Sequence, residues 1–366
     1  MSIALSRLAN HRIACPTSAR PDDVVTDEVV GWLGAMQAQD YGGALWSIGL
    51  RMAGTTERHI EQAIAERAIV RTWIMRGTLH LVAARDVRWM LALLAQRVIT
   101  HSAGRYRQLG LDDATFARSK EIFTGALQGG KQLTRDEMLQ VLEEAGIATT
   151  GQRGYHFLGR CAQDGLICFG VPRGKQQTFV LLDDWVPQSG GRTRDEALAE
   201  LTTRYFASHG PATARDLMHW TGLTSAEVKK GLGAAGKDLV KETINDQEYW
   251  MPRDLAEPSG IQPVYLLPGF DEYVLGYRDR SAVLDPVNAQ RICPGGNGVF
   301  NPTIVIDGRV AGTWRRALKK DRVVIEMAPF RPLTSAEYNA LGAAADRYGE
   351  FLGLPVVIVF GSESKE

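Results

Sequence analysis

Residues 133–182, LTRDEMLQVLEEAGIATTGQRGYHFLGRCAQDGLICFGVPRGKQQTFVLL, carry the clearest structural pattern in this chain. Thr134 is followed three residues later by Glu137, the pattern of a capping box, which predicts that a helix begins here. A second amphipathic segment over residues 155–165 ends at a glycine and predicts another helix. Two short apolar runs then flank the polar tip of residues 172–177 and predict a β-hairpin. This order of helix, helix and hairpin is typical of a winged helix.

The same order of elements recurs in the next part of the chain. Three amphipathic segments within residues 194–232 predict three helices, with Lys229 and Lys230 on the third. Residues 239–251 predict a short hairpin that turns at residues 245–246. The sequence therefore predicts two winged helices in tandem. Winged helices bind proteins as well as DNA, so this arrangement by itself leaves the partner open.

The N-terminal part of the chain predicts a less regular unit. The expected elements are helices over residues 24–36, 59–66 and 86–100, a strand over residues 45–50, and paired strands over residues 69–73 and 78–82. This order is compatible with a third winged helix. After residue 257 strands predominate, Asp307 and Gly308 predict a two-residue hairpin turn, and residues 335–352 predict one long helix.

These elements define the predicted architecture. The fold class is α+β, with tandem winged-helix domains and a C-terminal α+β region. The predicted domains are an N-terminal winged-helix-like unit, two further winged helices and the C-terminal region, over residues 1–115, 116–190, 191–256 and 257–366.

Composition restricts the class of protein. The 42 Lys and Arg residues balance 42 Asp and Glu residues, and 45% of the 366 residues are hydrophobic, values that argue against a disordered chain. Cys15, Cys161, Cys168 and Cys293 lack the spacing of metal ligands, so we expect no bound metal and no cofactor. No apolar run approaches the ~20 residues that span a bilayer, and the first 20 residues have no signal-peptide core. We expect a cytoplasmic protein without membrane contacts.

Two segments are basic although the chain as a whole is neutral. Residues 85–107 contain five arginines and one aspartate, and residues 309–322 contain six cations and one aspartate. The second segment spans a predicted hairpin, so its cations project together and suit the phosphates of a DNA groove. Its candidate DNA-binding residues are Arg315, Arg316, Lys319, Lys320 and Arg322. The alternative is a solvated strand edge that charge protects from pairing with other strands.

A pair of glutamines stands two positions apart in residues 36–43, MQAQDYGG. In an unbroken helix the side chains of Gln37 and Gln39 would point about 200° apart. They converge only if the helix ends between them, and Gly42 and Gly43 make such an end plausible. Taken alone, the pattern favours ordinary solvated residues at the end of a helix.

Four short segments change this interpretation. They are QAQD at residues 37–40, RTWIMRGTLH at 71–80, LPGFDEY at 267–273 and VAGTWRR at 310–316. In this order, and over essentially the whole chain, they resemble the AlkZ/YcaQ family of winged-helix DNA glycosylases. The resemblance implies tandem winged helices around a concave basic surface. It also implies excision of N7-alkylated purines, and in some members unhooking of interstrand crosslinks.

The resemblance further implies catalytic roles for Gln37 and Gln39. The family's signature is Gln-X-Gln or Gln-X-Asp with X apolar, and Gln37-Ala38-Gln39 matches the Gln-X-Gln form of the AlkZ side. That side includes enzymes of self-resistance to DNA-alkylating natural products. Asp40 is a rival carboxylate, although a capping or solvated role is favoured for it.

The chemistry of the linkage agrees with this interpretation. A neutral amide is a negligible base, but it can orient a water molecule and direct its dipole at developing charge. That is sufficient only when the leaving group is already good, and an N7-alkylated purine carries a positive charge. We therefore expect a monofunctional glycosylase that acts on double-stranded DNA containing alkylated purines. Crosslinked substrates would require an open groove beside the glutamines, because a tethered base cannot be withdrawn far.

Further polar residues occur in the family-like segments. Arg76, Thr78 and His80 would share one face of a strand, which predicts a role facing DNA or the active site. A histidine satisfied within the core is the competing explanation. For Asp271 and Glu272 we expect structural pairing with arginines between domains.

Two other functions compete with the glycosylase. A non-catalytic winged-helix regulator normally needs a dimerisation element to match two-fold operators, and no heptad run supplies one, so a monomer is expected. A nuclease needs clustered carboxylates to bind metal ions, and no such cluster stands out.

Overall fold

The computed structural model describes residues 25–361 apart from residues 187, 189, 245 and 256–261. The expectations for the first 20 residues, for Cys15 and for the first turn residue of the hairpin at 245–246 lie outside the described residues. Within the described ranges, none of the helices has both the length and the apolar character that crossing a bilayer requires.

The N-terminal part of the described chain builds a small sheet surrounded by helices. Its elements are α1 (Thr26–Leu33), β1 (Met36–Gln37), α2 (Tyr41–Gly49), α3 (Glu57–Ala65), β2 (Ile69–Met75), β3 (Thr78–Ala83), α4 (Ala84–Gln108) and α5 (Asp113–Leu127). The three strands are antiparallel in the order β1-β3-β2. The predicted strand pair and the long helix after it are confirmed.

One predicted strand is wrong. Residues 45–50 were expected to be extended, but they belong mostly to α2, where residues 43–48 are all buried. An element buried on every side has no polar face, so its apolar run shows no helical periodicity. Short runs of this kind cannot be assigned to helix or strand from periodicity alone.

The middle of the chain contains the helices and strands predicted from its local chemistry, and two further short elements, a strand at Leu133–Thr134 and a helix at Leu182–Trp185. They are β4 (Leu133–Thr134), α6 (Arg135–Glu144), α7 (Arg153–Gln163), β5 (Ile167–Phe169), β6 (Thr178–Leu181), α8 (Leu182–Trp185), α9 (Arg194–His209), α10 (Ala214–Thr221), α11 (Ser225–Ala234), β7 (Leu239–Ile244) and β8 (Gln247–Pro252). The capping box at Thr134 is formed, because Glu137 accepts from the Thr134 N–H at 2.7 Å and donates its own N–H to the hydroxyl.

The C-terminal part is a five-stranded sheet with one long helix. Its elements are β9 (Val264–Leu267), α12 (Glu272–Leu275), α13 (Ala289–Ile292), β10 (Thr303–Ile306), β11 (Arg309–Leu318), β12 (Val323–Pro329), α14 (Ser335–Leu352) and β13 (Val356–Phe360). The strand order is β13-β12-β11-β10-β9, and only the β12–β13 pair is parallel. Asp307 and Gly308 both have positive φ, as the predicted tight turn requires.

The first and last parts of the chain share one hydrophobic core. Side chains of α1, α2 and α3 pack with those of the C-terminal sheet and α14. The indole N–H of Trp46 in α2 donates to the Leu266 carbonyl in β9 at 2.7 Å. This packing fixes β1 and the residues after it between the N-terminal and C-terminal parts of an α+β molecule.

Candidate active site

Gln37 and Gln39 lie in an extended segment. Helix α1 ends at Leu33, where Gly34 adopts a φ of 81°, and Gln37 is the last residue of β1. The helix thus ends well before the glutamines, whereas Gly42 and Gly43, expected to end it, begin α2. In an extended chain, residues two positions apart point to the same side. Both glutamine side chains accordingly reach the β2–β3 hairpin.

The orientation of each carboxamide is determined by its donor. Gln37 Oε1 accepts from the guanidinium of Arg76 at 3.1 Å, and Gln39 Oε1 accepts from the backbone N–H of Leu79 at 3.0 Å. Both partners can only donate, so both contacts identify the amide oxygen. Each NH₂ group therefore points away from these contacts. Gln37 is 7% exposed, whereas Gln39 is on the surface.

Arg71 holds the backbone between the two glutamines. Its Nε and Nη2 donate to the carbonyl of Ala38 at 3.0 and 2.7 Å, and its Nη1 donates to Gln177 at 3.0 Å. Burial lowers the pKa of Arg71 to about 10, so the group stays charged at neutral pH. No role was predicted for Arg71 from the sequence. A detectable signal was present, namely an arginine beside the apolar residues Ile69 and Val70 of a predicted strand.

Arg316 connects the basic hairpin to the glutamine segment. Its Nη2 donates to both carboxylate oxygens of Asp40, at 3.0 and 3.1 Å, and its Nη1 donates to the Tyr348 hydroxyl at 2.8 Å. Asp40 is therefore an ion-paired residue and not merely a solvated one. Arg316 is held within the protein, unlike its neighbours on the hairpin. The exposed cations there are Arg315, Lys319, Lys320 and Arg322.

The three polar residues predicted to share a strand face separate into two environments. Arg76 lies in the β2–β3 turn with a φ of 55° and also donates to the Trp220 carbonyl. Thr78 is partly buried and lines the same cleft as Arg76 and Gln37. His80 is fully buried, and burial lowers its pKa to about 3, so its ring is neutral. Contact between His80 and DNA would require this segment to open.

A solvent-open cleft of about 610 Å³ lies beside Gln37. Gln37, Arg76 and Thr78 contribute to one wall, and the other comes mainly from residues 275–300, for which the sequence predicted no functional role. In that wall the guanidinium of Arg280 stacks over the ring of Phe300, 4.9 Å from its centroid. The volume is within the range of small-molecule sites. Throughout the described ranges no three His, Cys, Asp or Glu side chains are grouped as metal ligands would be.

Asp271 and Glu272 have different partners. Arg51 donates to both oxygens of Asp271 at 2.9 Å, as expected for a structural ion pair. Burial alone would raise the pKa of Asp271, but Arg51 and further donors outweigh it and hold the pKa below its usual value. Glu272 instead accepts from the Gln37 N–H at 3.3 Å and from the Trp220 indole at 2.8 Å. No arginine is its direct hydrogen-bond partner among the described residues.

This combination of fold and site is that of a known class. The chain belongs to the AlkZ-like DNA glycosylase family, whose pattern matches residues 30–351, so the resemblance inferred from the four segments is confirmed. It is similar to the interstrand DNA cross-link repair glycosylase of Streptomyces sahachiroi, with 28% identity over 301 residues, or 78% of this chain and 81% of the relative. The solved structure of the S. sahachiroi DNA glycosylase AlkZ matches with a TM-score of 0.77 and 25% identity, covering 97% of this chain and 98% of that one.

Proposed function

We propose that this chain is a monofunctional DNA glycosylase that hydrolyses the N-glycosidic bond of N7-alkylated, cationic purines in double-stranded DNA. One observation carries the proposal. Two carboxamides, those of Gln37 and Gln39, extend to one side of a rigid segment with their oxygens held by fixed donors, and Gln37 lines an open cleft. Membership of a DNA glycosylase family supports catalysis over a purely regulatory role.

The reaction follows from what an amide can do. The bond between the sugar C1′ and the purine N9 breaks, its electron pair neutralises the alkylated base, and the sugar becomes oxocarbenium-like. Each glutamine oxygen keeps a second lone pair and each NH₂ keeps its donors, so together they can orient the water that attacks C1′. The water proton passes to solvent. Because neither amide is a useful base, the enzyme relies on a leaving group that alkylation has already activated.

DNA binding is proposed to use the basic hairpin and the helical units. We propose that residues 1–115, 116–190 and 191–256 act as winged-helix units next to the C-terminal region of residues 257–366. The exposed cations Arg315, Lys319, Lys320 and Arg322 would contact phosphates. Arg316 is paired with Asp40 beside the glutamine segment and so holds the base of the hairpin against it.

Interstrand crosslinks are a proposed extension of the substrate range. The S. sahachiroi relative is named for crosslink repair. A base tethered to the opposite strand cannot be drawn into a closed pocket as an ordinary flipped base is. The cleft beside Gln37 is open to solvent, which suits such a substrate.

The test is direct. The purified protein is incubated with a duplex containing N7-methylguanine, and abasic sites are detected by alkaline strand cleavage, with an unmodified duplex as control. Q37A and Q39A are each expected to slow excision by about 10²–10³-fold, the range measured when a single preorganised polar group is removed from an active site. DNA affinity should be retained. Wild-type rates in both variants would refute the assignment, and binding without any abasic product would favour the regulator.

A further inference from the structure

Glu272 is a buried carboxylate that reaches the site from 235 positions away in the chain. It is 2% exposed, and its Oε1 accepts from the backbone N–H of Gln37. Its Oε2 accepts from the Trp220 indole at 2.8 Å and lies 3.4 Å from the His209 ring. Removing a carboxylate from water is expensive, so such a group persists only where its contacts compensate for the loss of hydration.

These contacts close into a ring around Gln37. Trp220 donates its indole N–H to Glu272 and accepts from Arg76 at its carbonyl. Arg76 also donates to the carboxamide oxygen of Gln37. Burial lowers the pKa of Arg76, and the negative charge of Glu272 opposes this effect. The backbone of Gln37 and its side chain are thus both held by groups that depend on Glu272.

We propose that Glu272 is a positioning residue for base excision, acting through Gln37. It holds the Gln37 backbone directly, and it keeps the Gln37 carboxamide oriented through Trp220 and Arg76. This inference rests on the proposed function, in which Gln37 orients the attacking water. Buried ion pairs and polar networks are often no more stabilising than apolar packing, and some are retained because they specify one geometry.

The chain contains a matched control for this inference. Asp86 is also 2% exposed and also accepts from a tryptophan indole, Trp89 at 2.8 Å. Unlike Glu272, it is directly paired with an arginine, Arg204 at 2.5 Å. Among the described residues, no hydrogen bond joins Asp86 to Gln37 or Gln39. D86N therefore reproduces the loss of a buried carboxylate without disturbing the glutamine segment.

The experiment measures single-turnover excision of N7-methylguanine by E272Q, Q37A, D86N and the double variants E272Q/Q37A and D86N/Q37A. E272Q should slow excision by about 10²-fold, because a small misplacement of a reacting group has an effect of this size. Its dissociation constant for DNA should stay within about twofold, since orientation affects the chemical step and not ground-state binding. The double variant E272Q/Q37A should be no slower than Q37A, because two residues that act through one group are not additive. D86N should excise at the wild-type rate once it is folded.

Several outcomes would overturn the inference. One is that folded E272Q excises at the wild-type rate. Another is that E272Q slows Q37A by the same factor by which it slows the wild type. The third is that D86N slows excision as much as E272Q does. If E272Q does not fold, W220F removes the indole donor that holds Glu272 and keeps the ring, and the same reduced rate and non-additivity with Q37A are expected. If the wild-type protein excises nothing, or Q37A is fully active, the proposed function itself fails and not only the role of Glu272.

Discussion

Neutralising the tip of the basic hairpin should change the salt dependence of DNA binding by a calculable amount. Lys319 and Lys320 are exposed at the turn between β11 and β12, and no carboxylate of the described residues pairs with them. The turn is closed by a backbone hydrogen bond from Lys319 to Arg322 at 2.9 Å, so K319Q/K320Q should leave its shape intact.

The magnitude follows from the release of counterions. Each phosphate contact contributes about −0.9 to the slope of log K against log salt concentration, so losing two contacts makes the slope shallower by about 1.8. Between 50 and 200 mM salt, the wild-type affinity should then fall about tenfold more than that of K319Q/K320Q. Fluorescence anisotropy with a labelled duplex at several salt concentrations measures both slopes.

A second double variant with the same net charge compares the hairpin with one of the helical units. Lys229 and Lys230 are adjacent and exposed on α11, and K229Q/K230Q removes the same two charges. An unchanged slope in K319Q/K320Q would refute the hairpin contact. Equal changes in both double variants would mean that the hairpin contributes no more to binding than α11 of the helical units does.

Three further predictions concern the site and its supports. D40N should excise within about threefold of the wild-type rate, because Asp40 is not the general base in this mechanism. Its free energy of unfolding should fall by less than about 1 kcal/mol, because a partly exposed ion pair contributes little to stability. Loss of excision in D40N would make Asp40 the general base. Excision should be independent of pH between about pH 5 and about pH 6, where N7-methylguanine keeps its N1 proton, because amides do not titrate and burial lowers the pKa of His80 to about 3. A rate that rises with one pKa in this range would contradict the mechanism. D271N should lower the free energy of unfolding by about 3–5 kcal/mol in urea titrations at pH 7, because the buried guanidinium of Arg51 would lose its two charge-assisted hydrogen bonds to the Asp271 carboxylate. The pKa of Asp271 is lower in the folded protein than in the unfolded chain. Its contribution to the free energy of unfolding is therefore complete above about pH 4 and is lost as the pH falls through the folded pKa. The difference in stability between wild type and D271N should accordingly shrink in acid.

Local chemistry was sufficient to predict most elements of the fold. The Thr134 capping box, the Asp307–Gly308 turn and the helix of residues 335–352 depend on residues close together in the chain, and all three are present. Helix α2 was not predicted because it is buried on nearly all sides. Its sequence therefore lacks the alternation of polar and apolar residues by which a helix is recognised. The C-terminal sheet and α14, which lie more than 200 residues further along the chain, bury it. A local sequence pattern cannot predict contacts with such distant residues.

By itself, the sequence determined the order of the four family-like segments, the presence of two amides and the cations of one hairpin. Only the tertiary structure decided how these groups are used. Arg315 and Arg316 are neighbours of one residue type, yet one is exposed and the other is paired with Asp40. Likewise, the orientation of Gln37 depends on Arg76 and Glu272, which reach it from separate elements. Hydrogen bonds act over about 3 Å, so side-chain roles follow from distances between packed elements, and the repeating pattern of a sequence does not contain those distances.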